Sequence, residues 1–152
     1  MTDSAADHRF LSEAIELSRR CPPSDSAFSV GAILAGPDGS VLATGYSRER
    51  DSHDHAEEVA LAKIADAMTP GGTLAGATMY TSLEPCRSRL SRSRSCAELI
   101  LAAGIRRVVL AWREPPLFVP GGGAQWLTGR GVTVIQIPDL AEQACAVNAH
   151  LL

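Results

Sequence analysis

The 152-residue chain predicts a three-layer α/β/α domain around a central mixed sheet of about five strands. Three observations lead there. A helical stripe and a hairpin pattern open the chain, strand and helix patterns then alternate, and no repeat or linker interrupts them. At 45% hydrophobic and 20% charged, the composition suits one globular core, so residues 1–152 are expected to form a single domain.

Arg9 to Arg20 carries Phe10, Leu11, Ala14, Ile15 and Leu17 at helical spacing, and Pro22-Pro23 closes the stripe. Phe28 to Leu34 and Ser40 to Tyr46 are β-prone runs around the turn Gly36-Pro37-Asp38-Gly39, which predicts a hairpin. Asp54 is expected to cap a helix reaching about Met68, with Glu57 as its capping-box partner and Val59, Leu61, Ala62, Ile64 and Ala65 inward. Pro70-Gly71-Gly72 should end that helix. Thr78 to Leu83 reads as a strand, Ser95 to Ala103 as a helix stopped by Gly104, and Arg107 to Trp112 as a strand: a crossover unit. The Pro- and Gly-rich loop Pro115 to Gly123 leads to a short helix at Ala124 to Thr128. A strand at Val132 to Ile137 and a helix from Asp139 to about His150 complete the pattern.

A net charge of -3 and 5% aromatic residues argue against a nucleic-acid partner. The apolar run Leu99 to Ile105 is closed by Arg106 and Arg107, so no membrane span is expected. Met1 to His8 lacks the apolar core of a secretory signal, and a cytoplasmic location is the expectation. In that reducing compartment the four cysteines favour metal binding or catalysis over disulfides.

Two fragments carry the chemistry: His55-Ala56-Glu57 at one helix start, and Glu84-Pro85-Cys86 followed by Cys96 at the next. His55, Cys86 and Cys96 form a three-ligand zinc set, which leaves a fourth tetrahedral position for water. Lewis acidity then makes a nucleophile of that water near neutral pH. In the first turn of a helix, Glu57 can address the same ligand as His55. Singly, each residue has a plainer reading: a capping glutamate, a surface histidine, a buried thiol pair. Cys21 and Cys145 lack such partners and read as small packing thiols.

H-A-E followed by P-C and a second cysteine resembles the zinc-dependent cytidine deaminase superfamily, which implies Glu57 as the proton shuttle, acting as general acid and base, with Glu84 orienting the cysteine loop. The resemblance runs from about Phe10 to Ile137 and implies the cytidine deaminase-like fold. In that superfamily the cysteines are usually two residues apart, whereas nine separate Cys86 from Cys96 here. Such a spacer is similar to the deaminase domain of bacterial riboflavin biosynthesis enzymes. That similarity extends through Tyr80-Thr81-Ser82-Leu83-Glu84-Pro85-Cys86, Cys96 to Ile105, and Arg107-Val108-Val109. It implies a substrate that is a diaminopyrimidine bearing a ribose phosphate, and Arg87, Arg89, Arg92 and Arg94 are candidates for the phosphate.

Two departures bear on the substrate. Where the riboflavin deaminases place an Asn-Pro pair against the pyrimidine, this chain has Ala27 and Phe28. Ser26 to Gly31 instead resembles the S-x-F-x-V-G stretch of free cytidine deaminases, whose substrate-binding Asn and Glu fall near Ser47 and Glu49. A histidine of the riboflavin family near Ser47 is also missing. No reductase domain follows within the chain, so a stand-alone deaminase is expected, forming a homodimer or homotetramer as small deaminases of this kind do. The alternatives are a deaminase of cytosine nucleosides, cytosine nucleotides or aminopurines, and a catalytically silent zinc-containing partner module.

Overall fold

A computed structural model of the chain describes residues 4–68, 74–89, 92–118 and 121–152. Five strands form one sheet: β1 (Gly31–Ala35), β2 (Val41–Tyr46), β3 (Thr78–Leu83), β4 (Arg107–Trp112) and β5 (Thr133–Gln136). The order is β2-β1-β3-β4-β5, with β1 antiparallel to both neighbours and β3, β4 and β5 parallel. The three-layer mixed sheet expected from the sequence is thus the fold found.

The central strands are apolar on both faces, so alternate residues serve two cores. Ile33, Ala35, Tyr80, Val109 and Ala111 pack with Phe10, Leu11, Ala14 and Ile15 of α1 (Ser4–Ser18) and with Ala144 of α5 (Ala141–Ala146). Ala32, Leu34, Met79 and Val108 face the opposite layer. There lie α2 (Ala56–Ala67), α3 (Cys96–Ala102) and α4 (Gly123–Thr128). Gly45 on β2 lets α2 come close, since a Cβ there would sit 2.3 Å from the Ala56 carbonyl oxygen.

Several boundaries differ from expectation. The first helix starts at Ser4 rather than Arg9, because the inward residue of its first turns is an acid. Asp7 is buried, receives two bonds from Arg107 at 2.9 and 2.6 Å, and accepts the Tyr80 hydroxyl at 2.6 Å. A hydrophobic stripe cannot register such a residue. The last helix is three short pieces: 3₁₀ turns at Pro138–Leu140 and Ala149–Leu151 flank α5. The break falls at Asn148, whose side-chain amide bonds the Ala144 and Ser29 carbonyls instead of continuing the helix. The Pro70-Gly71-Gly72 stop lies outside the described residues.

Among the described residues no helix is long and apolar enough to cross a membrane. Parallel β3 and β4 discharge at the same edge of the sheet, the edge where open α/β sheets take ligands. Both strands run directly into a Glu-Pro pair or one residue short of it: Leu83-Glu84-Pro85 and Trp112-Arg113-Glu114-Pro115.

Candidate active site

The turn into α2 differs from the expected cap. His55, not Asp54, is the N-cap, with extended backbone (φ -98°, ψ 151°), and its N–H donates to Glu58 Oε1 at 3.1 Å. Glu58 therefore does the capping expected of Glu57. Asp54 instead closes the preceding turn, accepting the Arg50 and Asp51 N–H groups at 2.9 and 3.0 Å. Glu57 is released from backbone duty and is buried, 3% exposed.

The second helix start brings the sulfurs to the same place. Ser95 caps α3 through the Glu98 N–H at 3.2 Å, which puts Cys96 at its first position. The Cys96 N–H donates to Cys86 Sγ at 3.2 Å, and the Ala97 N–H donates to the Cys86 carbonyl at 3.1 Å. His55 Nδ1 lies 3.5 Å from Cys86 Sγ and 3.4 Å from Cys96 Sγ. A tetrahedral zinc ion, with bonds of about 2.3 Å to sulfur and about 2.0 Å to nitrogen, sets such ligands about 3.5 Å apart. The donor set and its spacing fit zinc, and three protein ligands leave a fourth position for water or substrate.

Charge at the site is compressed. Burial, reinforced by the Cys86 sulfur, pushes the Glu57 carboxyl up to about 7. Hydrogen bonding from Cys96, then from His55, pulls the Cys86 thiol down to about 4, while the bond to Cys86 and burial push Cys96 up. Glu114, just past β4, is held up to about 8 by burial and by the negative groups Cys86, Glu57 and Glu84. Its Oε2 is a buried atom with no hydrogen-bond partner among the described residues. The sequence reading missed Glu114. The repeated Glu-Pro after two adjacent parallel strands was the signal that pointed to it.

These groups line a cavity of about 360 Å³, a volume suited to one heterocycle with substituents. Glu57, His55, Cys86 and Glu114 supply its polar side; Ala27, Phe28 and Phe118 supply an apolar side. Phe28 packs edge-on against Phe118 and Trp112, with ring centroids 5.1 and 5.3 Å away. Glu84 is buried in the cavity wall, where Oε1 accepts the Glu114 N–H at 2.9 Å and Oε2 the Ala124 N–H at 2.8 Å. It ties the cysteine loop to β4 and α4. Gly123 belongs to the same seam: a Cβ there would fall 1.8 Å from the Pro85 carbonyl oxygen.

The remaining expected contacts are spread more widely. Ala27 and Arg89 line the cavity; Ser47 and Glu49 are not among its walls. The buried Ser47 hydroxyl accepts the Val30 N–H at 2.9 Å, and Glu49 pairs with Lys63 at 2.6 Å. Both are occupied in holding the hairpin to its surroundings. Arg87 stacks on Trp126 at 4.7 Å and Arg92 pairs with Glu58 at 3.2 Å, both away from the cavity walls, while Arg94 is exposed. Cys21 and Cys145 are free thiols, half-buried and distant in sequence from the trio.

The family model described as the cytidine and deoxycytidylate deaminase zinc-binding region matches residues 4–112. The diaminohydroxyphosphoribosylamino-pyrimidine deaminase of Schizosaccharomyces pombe is 41% identical over 127 residues, covering 84% of this chain and 31% of that protein. The Aquifex aeolicus riboflavin biosynthesis protein RibD is 34% identical over 106 residues, covering 70% and 27%. The chain thus spans about a third of the length of these relatives. Among solved structures, Aspergillus oryzae Rib2 deaminase, a C-terminal deletion mutant in complex with DARIPP, superposes with a TM-score of 0.81 at 26% identity. That match covers 93% of this chain and 89% of the other.

Proposed function

Because the chain belongs to the cytidine and deoxycytidylate deaminase zinc-binding family, we propose that it is a hydrolytic deaminase that replaces an exocyclic amine of an aminopyrimidine with a carbonyl and releases ammonia. The observation that carries this reading is that the buried Glu57 lines one cavity together with His55 and Cys86, which converge with Cys96 as a ligand set. Zinc, when bound, supplies the Lewis acidity that makes water a nucleophile near neutral pH.

The protein's own groups do the proton transfers. Glu57 exchanges its proton near pH 7, so it takes one from water and delivers it to the ring nitrogen, then takes the remaining proton from the hydroxyl of the resulting adduct and delivers it to the departing amine as the carbonyl forms. The free Oε2 of Glu114 provides a hydrogen-bond position for a ring substituent. Phe28 and Phe118 hold the flat ring from the apolar side.

The substrate proposed is a diaminopyrimidine carrying a ribose phosphate. The name of the Schizosaccharomyces pombe relative and the DARIPP complex of the Aspergillus oryzae relative support it. A second reading, a cytosine nucleotide, is favoured by the apolar Ala27 and Phe28 in the cavity wall. In this reading residues 1–152 work as one domain in the cytoplasm, the compartment in which four unpaired cysteines persist. Leu117 and Phe118, exposed at 52% and 40% beside the cavity, are a surface for a neighbouring subunit in a homodimer or homotetramer.

The experiment is ammonia release by the zinc-loaded chain over diaminopyrimidine, cytosine and aminopurine compounds, each as base, nucleoside and phosphate. Turnover confined to the diaminopyrimidine phosphate is expected. Preference for a cytosine nucleotide selects the second reading, and silence over the whole panel with zinc bound overturns both.

A further inference from the structure

The arginine-rich spacer between the two cysteines has a use that phosphate binding does not explain. Glu58 is engaged at both oxygens. Oε1 accepts the His55 N–H at 3.1 Å and Arg89 Nη2 at 3.2 Å; Oε2 accepts Arg92 Nε at 3.2 Å. Arg89 is 3% exposed at its side chain. Its Nη2 also donates to the His53 carbonyl at 2.8 Å, and its Nη1 sits 4.0 Å from Cys96 Sγ. Arg92 reaches past Glu58 to Asp51 at 3.4 Å and Asp54 at 3.7 Å.

One carboxylate therefore joins the backbone of the nitrogen ligand to the chain segment that separates the sulfur ligands. The ligands come from positions 31 and 41 residues apart along the chain, and among the described residues no backbone hydrogen bond joins these two loops. A loop of nine residues left untied would let Cys86 and Cys96 wander relative to His55. Two guanidinium forks on one partly buried carboxylate restrain that freedom, and arginine is suited to the task because its planar donors address several acceptors at once.

We propose that Glu58, gripped by Arg89 and Arg92, is a positioning residue for the metal ligand His55, and that these two arginines latch the cysteine-bearing chain segment to the start of α2. The proposal depends on the zinc-binding character of the trio and not on which amine is the substrate. It assigns Arg89 and Arg92 away from the substrate phosphate.

The test is zinc affinity of the full chain, by competition with a chromophoric chelator, in Glu58→Gln, Arg92→Gln and the remote control Arg19→Gln. Outer-shell partners of metal ligands typically contribute about 10–100-fold in affinity, so Glu58→Gln should weaken zinc binding by that factor. Arg92→Gln should weaken it by about 10-fold, the lower end of that range, and Arg19→Gln not at all. The cobalt-substituted protein gives a second readout: its visible absorption bands should shift in Glu58→Gln, because the imidazole reorients, and stay put in Arg19→Gln. If Glu58→Gln fails to fold, the partly exposed Arg92→Gln decides. Unchanged zinc affinity and cobalt bands in a folded variant overturn the latch. So does a rise in KM for a phosphorylated substrate in Arg92→Gln with metal affinity intact, which would return the spacer to phosphate binding.

Discussion

The side-chain amide of Asn148 stands in for a strand against Ser29, accepting its N–H at 2.6 Å and donating to its carbonyl at 3.0 Å across 119 residues of chain. Ser29 adjoins Phe28 of the cavity wall, and Arg48 grips the same stretch by donating to the Phe28 carbonyl at 3.2 Å and the Ser29 hydroxyl at 2.7 Å. The apolar wall is thus carried by two side chains instead of a ladder. Asn148→Ala would leave both buried Ser29 groups unpaired, at a cost of about 1–3 kcal/mol. Thermal denaturation should record the loss, and KM should rise more than kcat falls.

Glu57 is freed from capping by Glu58, so its replacement should spare the helix. Glu57→Gln is expected to retain stoichiometric zinc and the wild-type melting temperature while turnover drops by about 10²-fold or more. Metal analysis beside steady-state kinetics checks both halves. Activity near wild type would remove Glu57 from the chemistry.

Glu114 has its pKa raised in the folded chain, so its proton is bound more tightly there than in the unfolded chain. Below about pH 4.5 both states are protonated and the group is neutral to stability. As pH climbs towards 8 the unfolded chain ionises first and the folded state loses ground. Glu114→Gln should therefore raise the melting temperature of chelator-treated protein at pH 8.5, by about 2–4 °C for each kcal/mol relieved, and leave it unchanged at pH 4. Calorimetry at the two pH values is the measurement.

Asp7 titrates in the opposite sense. Its bond from Arg107 holds the carboxyl below the usual range despite burial. The folded pKa is depressed, so the stabilisation is present above the unfolded value near 4 and fades as pH falls through the folded one. Asp7→Asn leaves Arg107 without its partner and should destabilise the protein at pH 7 by about 3 kcal/mol, the scale for breaking a buried pair. The gap to wild type should close under strongly acidic conditions.

How much of this was legible in the sequence follows from which forces leave a pattern. Thr78–Leu83 and Arg107–Trp112 appear as strands at the limits expected, because burial on both faces leaves β-prone runs that carry no charge after Arg107. The metal-ligand trio stands out through its residue types and order, and the ligand atoms do converge. Polar tertiary contacts left no such trace. Asp7, Asn148 and Arg48 act through partners far along the chain, and an acid paired across 100 residues looks like a surface acid in a local window. The one-residue shift from Asp54 to His55 at the helix start shows the same limit, since either frame offers a glutamate three residues on.

The contact of Gly123 with Pro85 has a meaning for how specificity can drift. Next to the cavity-lining Glu84 and Cys86 main chain abuts main chain, and the spacing is fixed by peptide geometry with no substituent in between. The facing side consists of replaceable groups at 27, 28 and 118. Mutational variation is therefore channelled: position 123 tolerates a single residue type, while its opposite numbers are open to change. A lineage can remodel which ring it accepts by editing one wall and leave the metal-bearing wall as an unaltered ruler.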